Sequence, residues 1–132
     1  MKLPLVFLAF ANDKDNHLPL LEEERKAITA ELIPLASKQY FQLFSEPSAT
    51  TQDLSRYVAE FKDRIELFHY GGHAESDKIF LTDQAADSSG LAQLLGLQSD
   101  LKLVFLNGCS TRAQVEMLFA EGVPAVIATS VP

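Results

Sequence analysis

Leu103-Val104-Phe105-Leu106-Asn107-Gly108-Cys109-Ser110-Thr111 is an apolar run that gives way to small polar residues at the only cysteine of the chain. The run reads as a buried strand, and the residues after it read as the approach to a helix. Upstream, Ile65-Glu66-Leu67-Phe68-His69-Tyr70-Gly71-Gly72-His73-Ala74 repeats the arrangement with a histidine past the strand end. A fold that brings a cysteine and a histidine together from two strand ends can pair a thiolate nucleophile with its base.

Working outward, strand and helix signals alternate. Residues 3–10 read as a first strand buried on both faces, 40–44 as a second, 64–70 as a third, 101–106 as a fourth and 125–128 as a fifth. Between the first two, Leu21, Ile28, Leu32 and Leu35 form one helical stripe opposite the Glu22-Glu23-Glu24 face. Thr50 or Thr51 caps a second helix, whose apolar face is Leu54, Tyr57, Val58 and Phe61. Ile79-Phe80-Leu81 reads as a short extended excursion, and residues 89–95 as a helix ended by Gly96. Val115, Leu118 and Phe119 mark a last helical face, stopped by Gly122 and Pro124. Alternation of this kind predicts a three-layer α/β/α domain with a mainly parallel five-stranded sheet. With the first strand central, the flavodoxin-like order is 2-1-3-4-5.

Composition narrows the function. At 132 residues, 47% apolar and 22% charged, the chain reads as one globular domain. A net charge of −7 and a pI near 4.8 disfavour nucleic acid and anionic membranes, and the longest basic group is only Arg25-Lys26. The single cysteine suits a reducing, cytoplasmic compartment and cannot make an internal disulfide. Residues 3–11 have the length of a signal-peptide core, with Ala9-Phe10-Ala11 resembling a cleavage site, but one lysine is a weak leader. A central strand is the reading adopted. The apolar fifth strand is followed only by Thr129-Ser130-Val131-Pro132, so its edge is expected to promote self-association.

Chemistry in an open parallel sheet collects at the carboxyl ends of its strands. His73 and Cys109 both fall there, 36 positions apart, which leaves room for one crossover between adjacent strands. A protonated His73 and the amino end of the following helix would together favour the Cys109 thiolate. The backbone N–H groups of Cys109 and Ala74 are the expected oxyanion donors. Asn12 and Asn107, at the ends of the first and fourth strands, are assigned to substrate binding. His69, inside its strand, reads as a satisfied packed histidine, and His17 as solvated. His73, released from the sheet by Gly71-Gly72, is the better base.

Other strand-end chemistries fit less well. A phosphatase loop needs an arginine several residues past its cysteine, and Cys109-Ser110-Thr111-Arg112 is too tight and has no glycine. A phospho-receiver needs an aspartate where the third strand ends in His69-Tyr70, and dinucleotide binding needs a glycine-rich turn where Ala11-Asn12-Asp13 stands. A metal site from His17, His69, His73, Asp13 and Asp15 lacks any recognised ligand spacing. No metal or cofactor is expected.

The segments Val6-Phe7-Leu8-Ala9-Phe10-Ala11-Asn12, Phe68-His69-Tyr70-Gly71-Gly72-His73-Ala74, Leu103 to Thr111, and Pro124-Ala125-Val126-Ile127-Ala128-Thr129-Ser130 resemble the CHAT domain. That is a bacterial caspase-like peptidase module, often found beside tetratricopeptide repeats or signalling ATPases. The resemblance spans nearly the whole chain. It implies a caspase/haemoglobinase-type fold, a Cys109–His73 dyad, peptide-bond hydrolysis in bacterial signalling or defence, a peptide or protein substrate, and a repeat-domain or ATPase partner. Two positions depart from it: Ala74 stands where related peptidases usually have glycine, and Asn107-Gly108-Cys109 replaces the caspase Gln-Ala-Cys. Because the family continues past the Ala-Thr-Ser strand, residues 1–132 are expected to lack the C-terminal part of the domain. A non-catalytic interaction module of the same fold is the alternative, followed by a small-molecule or phosphate sensor.

Overall fold

Leu5–Phe10 (β1) is apolar throughout because it has a core on each face. Leu5, Phe7 and Ala9 point into a large cluster, while Leu8 and Phe10 point into a small one. The computed structural model that shows this describes residues 3–12, 18–75, 77–107 and 112–129. The remaining elements follow in the order α1 (Leu21–Ser37), β2 (Gln42–Glu46), α2 (Thr51–Glu60), β3 (Ile65–Gly71), β4 (Ala74–Glu75), β5 (Lys78–Phe80), β6 (Ala85–Asp87), α3 (Ser88–Gly96), β7 (Leu103–Asn107), α4 (Arg112–Ala120) and β8 (Val126–Ala128).

The main sheet is five-stranded and wholly parallel, in the order β2-β1-β3-β7-β8. That is the 2-1-3-4-5 order read from the sequence. Its layers are unequal. The step from β1 out to β2 reverses direction relative to every later crossover, so right-handed connections put α1 on one face and the other three helices on the opposite face. The clusters agree: Leu54, Val58, Leu91, Ala92, Leu95 and Leu118 join Phe7, Phe68 and Val104 on one side. Leu21, Ile28 and Leu32 cover Leu8 and Phe10 on the other.

Several expectations shift. The second strand lies two residues later than the 40–44 read from the sequence, because Gln42 N–H begins the ladder by donating to Pro4 at 2.8 Å. Leu35, on the helical stripe that the sequence predicts for α1, is 40% exposed, since the small core ends at Leu32. Phe119 is 50% exposed, while Leu118 is buried as expected and Gln114 joins it on the buried face of α4. Thr50, rather than Thr51, caps α2, with Asp53 closing the reciprocal capping box. Thr51 bonds Asp83. The short extended excursion lies at Lys78–Phe80 rather than 79–81 and belongs to a second, antiparallel sheet β4-β5-β6, inserted between β3 and α3. Among the described residues no helix is long and apolar enough to cross a membrane.

Candidate functional site

β3 and β7 run side by side, and their register sets Gly71 opposite Asn107 at the last rung. Both strands end at the same level, and Gly72 N–H donates to the Asn107 carbonyl at 3.3 Å. His73 is therefore one residue past that junction on the β3 side. Cys109 is two residues past it in sequence, and it lies outside the described residues, as do His17, Asp13 and Asp15.

The turn that carries His73 is held from below. Tyr70, 1% exposed, points its hydroxyl at the His73 carbonyl (2.8 Å) and the Phe80 carbonyl (2.6 Å), joining the turn to the antiparallel sheet. Gly72 is needed for that approach. A Cβ there would stand 2.5 Å from the Tyr70 hydroxyl and 2.8 Å from the Ala11 carbonyl. The His73 ring packs on Phe80, with centroids 4.9 Å apart, and its Nε2 lies 3.5 Å from the Glu75 carboxylate.

Ala74 opens β4. Phe80 N–H donates to the His73 carbonyl at 3.0 Å, which makes Ala74 and Ile79 a non-hydrogen-bonded pair. The Ala74 N–H thus turns away from β5. The two asparagines are engaged within the fold. Asn12 bonds Leu18: its Oδ1 accepts from Leu18 N–H at 2.6 Å and its Nδ2 donates to the Leu18 carbonyl at 3.0 Å. Asn107 Nδ2 donates to Glu24, and its Oδ1 accepts from the Thr129 hydroxyl at 3.1 Å.

Glu24 is the residue that sequence reasoning missed. The sequence puts it on a solvent face, yet it is half-buried over the ends of β3 and β7. Burial raises its carboxyl pKa, and the Asn107 hydrogen bond opposes that rise. Its position three after Leu21 and four before Ile28 is the available signal, because that spacing puts it on the buried face. Gly71 leaves it room: a Cβ there would meet the Phe10 ring at 2.8 Å and the Glu24 Oε1 at 3.3 Å.

His69 is packed, as expected, at 4% exposure between the Phe10 and Phe105 rings. It is not satisfied, however. Among the described residues neither ring nitrogen has a side-chain or neighbouring partner, and only its own backbone gives a minor contact. Burial pushes its pKa down to about 4, so the ring is neutral at pH 7. No cluster of three or more potential metal ligands occurs among the described residues. Comparison with protein-family models and with curated proteins finds no match for this chain.

Proposed function

We propose that this chain is a cysteine-peptidase-like domain of the CHAT type, with Cys109 as nucleophile and His73 as base. The observation that carries the reading is the Gly71–Asn107 rung, which starts the two dyad-bearing segments from neighbouring positions on one sheet edge. A thiolate attacks the carbonyl carbon of a peptide, and the C–O π electrons move to oxygen to give a tetrahedral oxyanion. The Cys109 and Ala74 N–H groups are its donors, and the turn of Ala74 away from β5 supports the second assignment. Collapse of the intermediate expels the amine with a proton from His73 and leaves a thioester for water to cleave. The substrate is a peptide or protein, the compartment the bacterial cytoplasm, and the neighbour a repeat-domain or ATPase module.

The second reading, a non-catalytic interaction module, also has a specific observation behind it. The Asn12 and Asn107 amides, assigned to substrate, already bond Leu18, Glu24 and Thr129. Labelling with a peptidyl electrophile distinguishes the two. The peptidase reading expects covalent modification of Cys109 that depends on His73. An unmodified cysteine under conditions that label a reference cysteine peptidase would overturn it.

A further inference from the structure

β2 is one edge of the main sheet, and among the described residues no strand pairs with its outer side. Natural edge strands are usually protected by proline, lysine or a bulge within the strand. Gln42-Leu43-Phe44-Ser45-Glu46 has no proline, lysine or bulge; its one charge, Glu46, stands at the last rung, and Pro47 follows only after it. A groove of about 950 Å³ runs along this edge, lined by Leu43, Phe44 and Phe61 together with Ile33, which is 50% exposed. The Ser45 hydroxyl in the same lining is buried, with no hydrogen-bond partner among the described residues.

The directions of the free groups select an occupant. Gln42 N–H donates inward to Pro4, so by alternation Phe44 and Glu46 also face β1, while Leu43 and Ser45 turn their N–H and C=O groups outward. An antiparallel strand centred on Phe44 would pair Leu43 with the residue at its own position 45, and Ser45 with its position 43, both as hydrogen-bonded pairs. A second copy of β2 satisfies this symmetrically. Phe44 then meets Phe44 of the second copy as a close, non-hydrogen-bonded aromatic pair. The ladder stops where Pro47, with no N–H to give, would stand opposite Phe41.

Charge complements the same register. Gln42, Phe44 and Glu46 share one face of the strand, and the Arg64 guanidinium hydrogen-bonds the Gln42 side chain. Two-fold pairing about Phe44 sets Glu46 opposite Gln42 of the second copy, and hence beside its Arg64, twice per dimer. We infer that β2 is a self-association edge, joining two copies antiparallel about Phe44 into one continuous sheet. This inference is independent of the proposed dyad. It places association at the edge opposite to the fifth strand named from the sequence, where β8 has only three residues.

Sedimentation of the full chain at about 100 μM tests it, since a seam of this size is at the weak end of specific interfaces. The expected result is a dimer. Glu46→Lys and Arg64→Glu should each raise the dissociation constant at least about tenfold, and an equimolar mixture of the two should recover dimer, because the opposed charges then match across the seam. Should Arg64→Glu fail to fold, Ser45→Pro serves instead: it removes an outward N–H without touching the β1 ladder, and a folded monomer is expected. A wild-type monomer, a dimer indifferent to Glu46→Lys and Ser45→Pro, or a dimer dissolved instead by Ile127→Lys on β8 would overturn the inference.

Discussion

The Tyr70 hydroxyl lies 2.8 Å from the carbonyl oxygen of His73 and 2.6 Å from that of Phe80. One buried phenol therefore fixes both the turn that presents the proposed base and the antiparallel sheet packed behind it. Tyr70→Phe keeps the ring in the core and leaves these carbonyls without that donor. A loss of about 1–2 kcal/mol in urea unfolding is expected, the usual cost of removing one partner from a buried hydrogen bond. Cys109 labelling should slow as well, because the His73 backbone is no longer tethered. Unchanged stability would show that water replaces the phenol.

Gly72→Ala should be more damaging than Tyr70→Phe. Its Cβ would meet the Tyr70 hydroxyl at 2.5 Å, and that contact is relieved only by breaking the tether. The Ala11 carbonyl at 2.8 Å is backbone next to the central strand and yields less easily. A destabilisation of roughly 1–3 kcal/mol is expected from such overpacking. Combining Gly72→Ala with Tyr70→Phe should recover part of it, and a fully additive pair would rule out the hydroxyl contact as the cause.

His69 makes the fold acid-sensitive in a defined window. Its pKa falls from 6.5 in the unfolded chain to about 4 in the folded protein. Between those values the unfolded state binds the extra proton, so the native state loses stability as pH drops from about 6.5 to 4. The loss totals roughly 3 kcal/mol, with no further contribution from this group below 4. His69→Leu removes a ring whose nitrogens have no hydrogen-bond partner among the described residues, and should flatten that part of the stability–pH curve. It should also be neutral or stabilising at pH 7. An unaltered acid slope in the variant would mean that carboxylates, not His69, set it.

Glu24→Gln separates charge from hydrogen bonding above the β3–β7 junction. The Gln oxygen can still accept from Asn107 Nδ2, while the half-buried charge disappears. Because the Glu24 pKa is raised by burial, its ionised form works against the fold once pH climbs past that pKa. A gain in melting temperature at pH 7 that vanishes below the ordinary glutamate range is expected. Destabilisation at pH 7 would indicate that the carboxylate has a cationic partner.

What the sequence made legible follows from residue spacing. β1 and β7 stand out because neighbouring residues on opposite faces, Phe7 and Leu8 in one and Val104 and Phe105 in the other, are apolar, and a central parallel strand permits that pattern. β4 and β6, of two and three residues, are too short to show alternation. The place of His73 just past the end of β3 was legible because Gly71-Gly72 interrupts the apolar run. Glu24 was hidden among three consecutive glutamates, and only the packing of α1 over Gly71 distinguishes it from Glu22 and Glu23. The lack of a hydrogen-bond partner for His69 among the described residues was beyond reach, since a histidine in a strand has the same letter whether or not its nitrogens are paired.

The proposed nucleophile can be tested without any substrate. A free thiol titrates near 8.5 and alkylates as its thiolate. The proposed dyad, with the amino end of α4 starting at Arg112, expects the iodoacetamide rate at Cys109 to reach half its plateau well below that pH. His73→Ala should move the midpoint upward. A shift of one pH unit corresponds to about 1.4 kcal/mol of lost thiolate stabilisation and is readily measured. His69→Ala is the control: its ring lies under Phe10 and Phe105, neutral at pH 7, so it should weaken the fold and leave the midpoint where it was. A midpoint near 8.5 that ignores His73 would leave the dyad without support and favour the interaction module.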